Sequence, residues 1–419
     1  MASFTFLHAA DLHLGSPLQG LSVKDPDVAA RFAEAIRRAF QNLVAQAIER
    51  KVAFLVIAGD IYDGEWPDNN VGLFFNREVA RLDRASIPVF LLKGNHDADS
   101  VVTKSIALPG SVRAFDTTKP ESFLLDAFKV ALHGQGFRER AERNNLALTY
   151  PPPIPGYFNI GVLHTALTGR PPHASYAPCS AEELAARGYD YWALGHVHDF
   201  EIVAEDPPIV FPGNLQARSI RETGEKGAVL VTVEDGHVTD KERLLVDEAR
   251  FAEARLDIGG VETMPQLLEA VEERIATRAE AAQDRLLALR VRLTGASPLR
   301  RRLIAERANL VDEVQAACHR CHPDIWLEKL DLRVTEPATP AQTVRPEQKL
   351  DIEPLLQTLV REPEILEQAE GIIAEIAAKL PGGLGAETAP LGADTAALLA
   401  EAADLLRVRV TAEEDIDAR

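Results

Sequence analysis

Short apolar runs alternate with stretches of helical period through the first half of the chain. The runs "FTFLHAADLH" (4–13), "VAFLVIAGD" (52–60), "IPVFLLKGN" (87–95), "FNIGVLHTA" (158–166), "YDYWALGHVH" (189–198) and "PPIVFPGN" (207–214) each end in a polar segment that often holds glycine. Brief apolar runs bounded by such turns predict strands. Between the first three, the patterns from Val28 to Arg50 and from Asn70 to Ala85 predict helices. This β–α alternation predicts an α/β domain with at least one mostly parallel sheet. In such sheets ligands gather beyond the carboxyl ends of the strands, where the polar loops of this chain lie.

Farther on, "KGAVLVTVEDGHVTDKERLLV" (226–246) reads as a hairpin turning at Asp235-Gly236, which closes a first domain at residues 1–250. A smaller α+β pattern fills 251–340. It has strands near 251–258, 285–295 and 325–336 and helices near 263–281 and 298–318. The Pro- and Thr-containing "TEPATPAQTVRPEQK" reads as a linker. Acidic amphipathic helices such as "PEILEQAEGIIAEIAAKL" and "ADTAALLAEAADLLRVRV" then make a C-terminal helical segment within 341–419.

Charge complicates the picture. With 45 Lys and Arg against 64 Asp and Glu the chain carries −19, which argues against nucleic acid as a partner. Residues 350–419, however, hold 5 basic against 15 acidic residues, so −10 of the −19 sits there. Three cysteines are too few for a disulfide framework. Cys318 and Cys321 stand in "CHRCH", which matches a haem-attachment spacing and offers zinc ligands with His319 or His322, but the helix-like, Arg-rich setting favours packed thiols. No apolar run is long enough to span a membrane, and the start lacks the pattern of a signal peptide, so a cytoplasmic chain without membrane partners is expected.

The strand ends carry ligand-type residues in a fixed order. Asp11 and His13 stand in "AADLHLG", Asp60 and Asp63 in "AGDIYDG", and Asn95, His96 and Asp97 in "KGNHDAD". His164 follows in "VLHTALTG", and His196 and His198 in "ALGHVHD". Two histidines at i and i+2 of an extended segment point the same way, which suits a shared ion. Oxygen from Asp11, Asp60 and Asn95 with nitrogen from His13, His164, His196 and His198 favours Mn²⁺, Fe or Zn²⁺. Seven ligands exceed what one tetrahedral ion takes and suit two ions.

The set resembles the calcineurin-like metallophosphoesterase superfamily, whose pattern runs D-x-H, G-D-x-x-D, G-N-H-D/E, a lone His, then G-H-x-H. The resemblance covers roughly residues 4–215. It implies a metallophosphoesterase β-sandwich flanked by helices (αββα) and two divalent ions, most readily Mn²⁺. Asp11, His13, Asp60 and His198 would hold one ion, and Asp60, Asn95, His164 and His196 the other. His96 would act on the leaving oxygen as the catalytic residue, with Asp63 and Asp97 as orienting or structural groups.

Three further stretches, "LHAADLHLGSPL", "HASYAPCSAEELAARGYDYWALGHVH" and "FPGNLQARSIRETGEKGAVLV", resemble DNA-repair exonucleases of the SbcD type, in particular the YhaO-like branch. That type implies Mn²⁺-dependent hydrolysis of DNA ends or hairpins, a capping domain at 251–340, an SMC-like ATPase partner docked on the C-terminal helices, and a homodimer. Arg290, Arg292, Arg300, Arg301, Arg302 and Arg307 are expected either to contact phosphates or to form helix-face pairs with acids such as Glu306. Lys93, Arg218 and Arg221 are the nearer phosphate candidates. Competing readings are a metallophosphoesterase acting on a cyclic nucleotide or a phosphoprotein, and a non-catalytic scaffold.

Overall fold

The computed structural model describes residues 3–16, 26–63, 69–99, 107–168, 176–337 and 362–379, with single positions between 356 and 406. Part of the closing helical stretch, including most of 394–410, and the linker's residues 338–349 fall outside the described residues. The chain divides into two compact units, residues 1–252 with 285–288, and 253–284 with 289–419.

The first unit holds two six-stranded sheets. One runs β12-β11-β1-β2-β3-β4, from strands β1 (Phe4–Ala9), β2 (Phe54–Ile57), β3 (Val89–Leu91), β4 (Val112–Ala114), β11 (Gly227–Glu234) and β12 (His237–Leu245). The other runs β5-β6-β7-β8-β10-β9, from β5 (Glu121–Leu125), β6 (Val130–Gly134), β7 (Phe158–His164), β8 (Tyr191–Gly195), β9 (Glu201–Glu205) and β10 (Pro208–Phe211). β1, β2 and β3 are mutually parallel, as are β6, β7 and β8. All six strands read from the sequence form. β4, β5, β6 and β9 are additional, and three of them are edge strands or short pieces with exposed residues that leave a weak apolar signal.

Period-2 alternation sets the layers. Phe54 and Val56 of β2 face the other sheet, while Leu55 and Ile57 face the helices. The inter-sheet layer gathers Phe6, Phe54, Phe90, Ile160, Val162 and Tyr191, with Phe6 edge-on to Tyr191 at 5.4 Å between centroids. Helices α1 (Pro26–Glu49) and α2 (Asn69–Arg84) cover the first sheet with Ile36, Phe40, Leu43, Val44 and Ala47, and with Val71, Phe75, Val79 and Leu82, at helical spacing. The second sheet's outer face is closed by Tyr150, Leu184, Tyr189 and Trp192. The result is a helix–sheet–sheet–helix sandwich. The Asp235-Gly236 hairpin joins β11 and β12, with both turn residues at positive φ (51° and 84°), as a type I′ turn requires.

A three-stranded sheet, most of it in the second unit, consists of β13 (Ala249–Asp257), β14 (Leu286–Ala296) and β15 (Ile325–Thr335) and packs with helices α3 (Met264–Ala282) and α4 (Arg307–Cys321). The 19-residue helix Met264–Ala282 is preceded by Thr263, whose side chain and Gln266 form a reciprocal N-terminal cap. The helix expected over 298–318 is two helices, Arg300–Ala305 and Arg307–Cys321, because Glu306 sits outside helical geometry at φ −100°, ψ 24°. Cys318 is buried and Cys321 partly so; His319 packs edge-on against Trp326, and His322 Nδ1 accepts the Asp324 N–H. Among the described residues no metal-holding group includes them. A further helix spans Pro363–Lys379. No described helix is long and apolar enough to cross a membrane.

The six arginines of the 290–307 stretch are engaged internally. Arg290 pairs with Glu328 (2.6 Å), Arg292 with Asp331 and Glu253 (2.8 Å each), Arg301 with Glu336 (3.0 Å) and Arg302 with Glu306 (3.0 Å, i,i+4). Arg300 and Arg307 donate to the Val334 and Leu330 carbonyls. Of these, Arg302–Glu306 is the expected helix-face pair, while Arg290 and Arg292 pair between neighbouring strands instead.

Close packing leaves β7 no room at Gly161, where an added Cβ would lie 2.7 Å from Trp192 Cδ2. Gly161→Ala is expected to cost about 1–3 kcal/mol through overpacking, read as a lower urea midpoint for the first unit.

Candidate metal centre

Every candidate ligand sits at or just past the carboxyl end of a parallel strand. Past the Ala9–Ile57 pair, the loops after β1 and β2 stay side by side: Asp11 N–H donates to Gly59 O (3.0 Å), His13 N–H to Asp60 O (3.0 Å) and Leu14 N–H to Ile61 O (2.8 Å). Asp11, His13, Asp60 and His196 all have positive φ (52°, 45°, 51° and 97°). Such backbone costs about 1–3 kcal/mol per residue and persists only where the surroundings impose it. It turns these side chains out of the strand direction, toward one point.

The two sheets meet at that point. His196 N–H donates to Asp11 Oδ2 (2.9 Å), and His164 Nδ1 donates to Ala58 O (2.9 Å), which leaves His164 Nε2 facing Asn95 Oδ1 (2.9 Å) and Asp60 Oδ2 (3.4 Å). His196 Nδ1 lies 3.2 Å from the same Asn95 oxygen. On the other side His13 Nε2 and His198 Nε2 are 3.1 Å apart, and His198 Nε2 is 3.9 Å from Asp11 Oδ1. Asp60 Oδ2 lies 3.9 Å from His13 Nε2, so this carboxylate borders both groups. Asp11–His13–His198 and Asp60–His164–His196 each bring ligand atoms within 4.8 Å, with Asn95 beside the second. All seven expected ligands are therefore brought together. His13, Asp60 and His96 form a third such group.

The protonation pattern fits cations. His198 Nδ1 meets the Glu222 carboxylate at 2.8 Å and must donate to it, which leaves a lone pair on Nε2. In a metal-free protein His13 Nε2 would then carry the proton, and His13 Nδ1 is buried with no hydrogen-bond partner. A cation held here would be ligated by both Nε2 lone pairs, with the outer nitrogen of His198 held by Glu222, as is usual for imidazole ligands. His8 shows the contrast. It is equally buried, both its nitrogens are satisfied by Tyr191 Oη and Leu194 O, and burial pushes its pKa down to about 3.

Charges at the centre are strongly interdependent. Burial raises the Asp11 carboxyl; it acts the same way on Asp60, yet His164 and His13 hold Asp60 well below the usual range. Burial opposes the charged form of His164, but the Asp60 charge lifts it to about 9. His96 is raised despite burial by its hydrogen bond to Asp63 (Nδ1–Oδ1 2.7 Å). Asp97 accepts from Ile61, Tyr62 and Gly94 N–H (2.9–3.0 Å), tying the loops after β2 and β3, and burial pushes its pKa to about 6.

Arg218 departs from its reading as a phosphate contact: it is clasped by Asp63 (3.2 Å) and Glu222 (2.9 Å). Arg221 is exposed. Sequence reasoning passed over Glu222 and Tyr176, whose ring stands edge-on to His196 at 5.2 Å. Glu222 lies 24 positions from His198, in no ligand-type pattern, and had no signal.

Glycines make the approach sterically feasible. A Cβ at Gly94 would lie 2.7 Å from Asp60 N and closer still to Asp60 Oδ1. Gly94→Ala is expected to reduce Mn²⁺ binding below two ions per chain by titration calorimetry, whereas Gly110→Ala, with open space around it, leaves binding unchanged.

Comparison with known proteins agrees with this geometry. Residues 4–200 match the calcineurin-like phosphoesterase family, and residues 251–335 match the middle domain of metallophosphoesterase YhaO. The uncharacterised metallophosphoesterase YhaO of Bacillus subtilis is 34% identical over 277 residues, 65% of this chain and 68% of that protein. The DNA double-strand break repair protein Mre11 of Methanopyrus kandleri is 24% identical over 91% of this chain and 83% of its own length. A solved dimetal phosphatase from Danio rerio aligns with TM-score 0.34 at 15% identity, over 58% of this chain and 97% of that one. A helix-flanked double sheet, a converged His and Asp centre, the two family matches and the relationship to YhaO make the chain a calcineurin-like metallophosphoesterase of the YhaO type.

Proposed function

We propose that this chain is a Mn²⁺-dependent nuclease that hydrolyses DNA phosphodiester bonds at double-stranded ends or hairpins. The observation that carries the reading is Asp60 standing between two groups of ligand atoms, with His96 beside them. Asp11, His13, Asp60 and His198 would hold one ion, and Asp60, Asn95, His164 and His196 the other. When bound, the ions supply Lewis acidity at phosphoryl oxygens and a water that ionises near neutral pH. The residues do the rest. Asp63 accepts the His96 Nδ1 proton, fixes the ring and leaves Nε2 to give a proton to the leaving oxygen.

The DNA assignment draws on the relationship to a protein named for double-strand break repair, over nine-tenths of this chain. In the same reading, residues 251–340 act as a capping domain, and the acidic helices within 341–419 dock an SMC-like ATPase of a homodimeric assembly. The engaged arginines of the second unit favour an alternative on one point. With their charge spent on Glu328, Asp331, Glu336 and Glu306, they offer little to a DNA backbone, which suits a smaller phosphoester such as a cyclic nucleotide or a phosphoprotein.

Digestion of end-labelled duplex DNA with Mn²⁺, beside a cyclic nucleotide and a phosphopeptide, separates the readings. The wild type is expected to favour DNA. Asp60→Ala should abolish turnover, and His96→Ala should keep its metals while losing about 10²–10⁴ in kcat. Loss of both metals from His96→Ala overturns the division between ligands and proton donor.

A further inference from the structure

Between His96 and His198 runs an unbroken chain of short polar contacts. His96 Nδ1 meets Asp63 Oδ1 at 2.7 Å, and Asp63 Oδ2 meets Arg218 Nη1 at 3.2 Å. Arg218 Nη2 meets Glu222 Oε1 at 2.9 Å, and the same Oε1 meets His198 Nδ1 at 2.8 Å. The second Glu222 oxygen is fixed by Asn214 Nδ2 (3.0 Å) and the Arg218 N–H (2.7 Å). Donors and acceptors alternate along the chain, and the linking side chains are largely shielded, with Arg218, Asp63 and Glu222 19%, 21% and 13% exposed.

The geometry has two consequences. Guanidinium is the one side chain whose planar fork reaches two carboxylates at once in fixed directions. Asp63 comes from the loop after β2 in one sheet, and His198 from the loop after β8 in the other; Glu222 comes from the segment leading into β11. Arg218 therefore bridges groups that the strands alone set independently. Its pairing also leaves it little charge to offer a substrate phosphate.

We infer that Arg218 is a positioning residue, a strut that locks His96 and His198 into one geometry through Asp63 and Glu222. The inference rests on the metallophosphoesterase reading of the site but not on DNA as substrate. Its test therefore uses Mn²⁺ alone and a small diester, bis(4-nitrophenyl) phosphate.

Arg218→Gln is expected to weaken Mn²⁺ binding by calorimetry about 10–100-fold, the range for residues that orient metal ligands, and to lower kcat on the diester with KM little changed. Arg218→Lys, which can reach one carboxylate but not fork to both, should recover only part of this. Arg218→Gln and Glu222→Gln combined should lose no more than the worse single variant, because they break one chain. A raised KM with unchanged kcat and Mn²⁺ affinity would make Arg218 a substrate contact and overturn the inference, as would additive losses. Should Arg218→Gln fail to fold, Glu222→Gln asks the same question, and unchanged Mn²⁺ affinity there is the adverse result. A wild type that turns over the diester but not DNA overturns the nuclease assignment and leaves the strut standing.

Discussion

Two sheets must hold one separation for this centre to exist. Asp11, His13, Asp60 and Asn95 hang from the first sheet, and His164, His196 and His198 from the second. The spacing between the halves is set by the aromatic and aliphatic layer of Phe6, Phe54, Phe90, Ile160, Val162 and Tyr191. Protein interiors are close-packed and transmit small volume changes, so each of these side chains acts on the distance between His164 and Asp60 as well as on stability. The cross-sheet hydrogen bonds from His164 to Ala58 O and from His196 to Asp11 then fix the remaining freedom.

Within that frame the backbone carries much of the design. Four of the seven candidate ligands lie at positive φ, and three of them stand in loops held side by side by ladder-like bonds (Asp11 to Gly59, His13 to Asp60). Gly59, Gly94 and Gly195 pass the chain beneath His164 and Asp60 where any side chain would collide. Strain held by rigid surroundings lets a polar cluster be assembled before any ligand arrives, so little ordering remains to be done on binding.

Much of this was legible in the sequence, for physical reasons that differ by residue. The apolar strands ending in polar, Gly-containing loops announced their own positions, and the parallel sheet rule placed their ends together. Asp60 and His198 were readable as candidate ligands because metal chemistry restricts residue type. Glu222 and the role of Arg218 were not, since orienting a ligand requires only a charge at the right place, and the chain reaches that place by a route no period encodes. β5 and β9 escaped for a related reason. Edge strands are half exposed, so alternation alone is weak there. The split at Glu306 left no trace either, because Glu is a good helix former and only its local backbone breaks the helix.

Sheet order has one more implication. β1, which leads into Asp11 and His13, lies in mid-sheet with β2 on one flank and β11, more than two hundred positions later, on the other. A nascent chain that has just emerged through His198 already owns all seven donors, yet the flank of β1 meant for β11 is still bare backbone. Contacts this distant in sequence form late and slowly. Maturation of the centre is thereby tied to completion of the whole sandwich, and a fragment ending before residue 227 would carry the chemistry without the architecture that aims it.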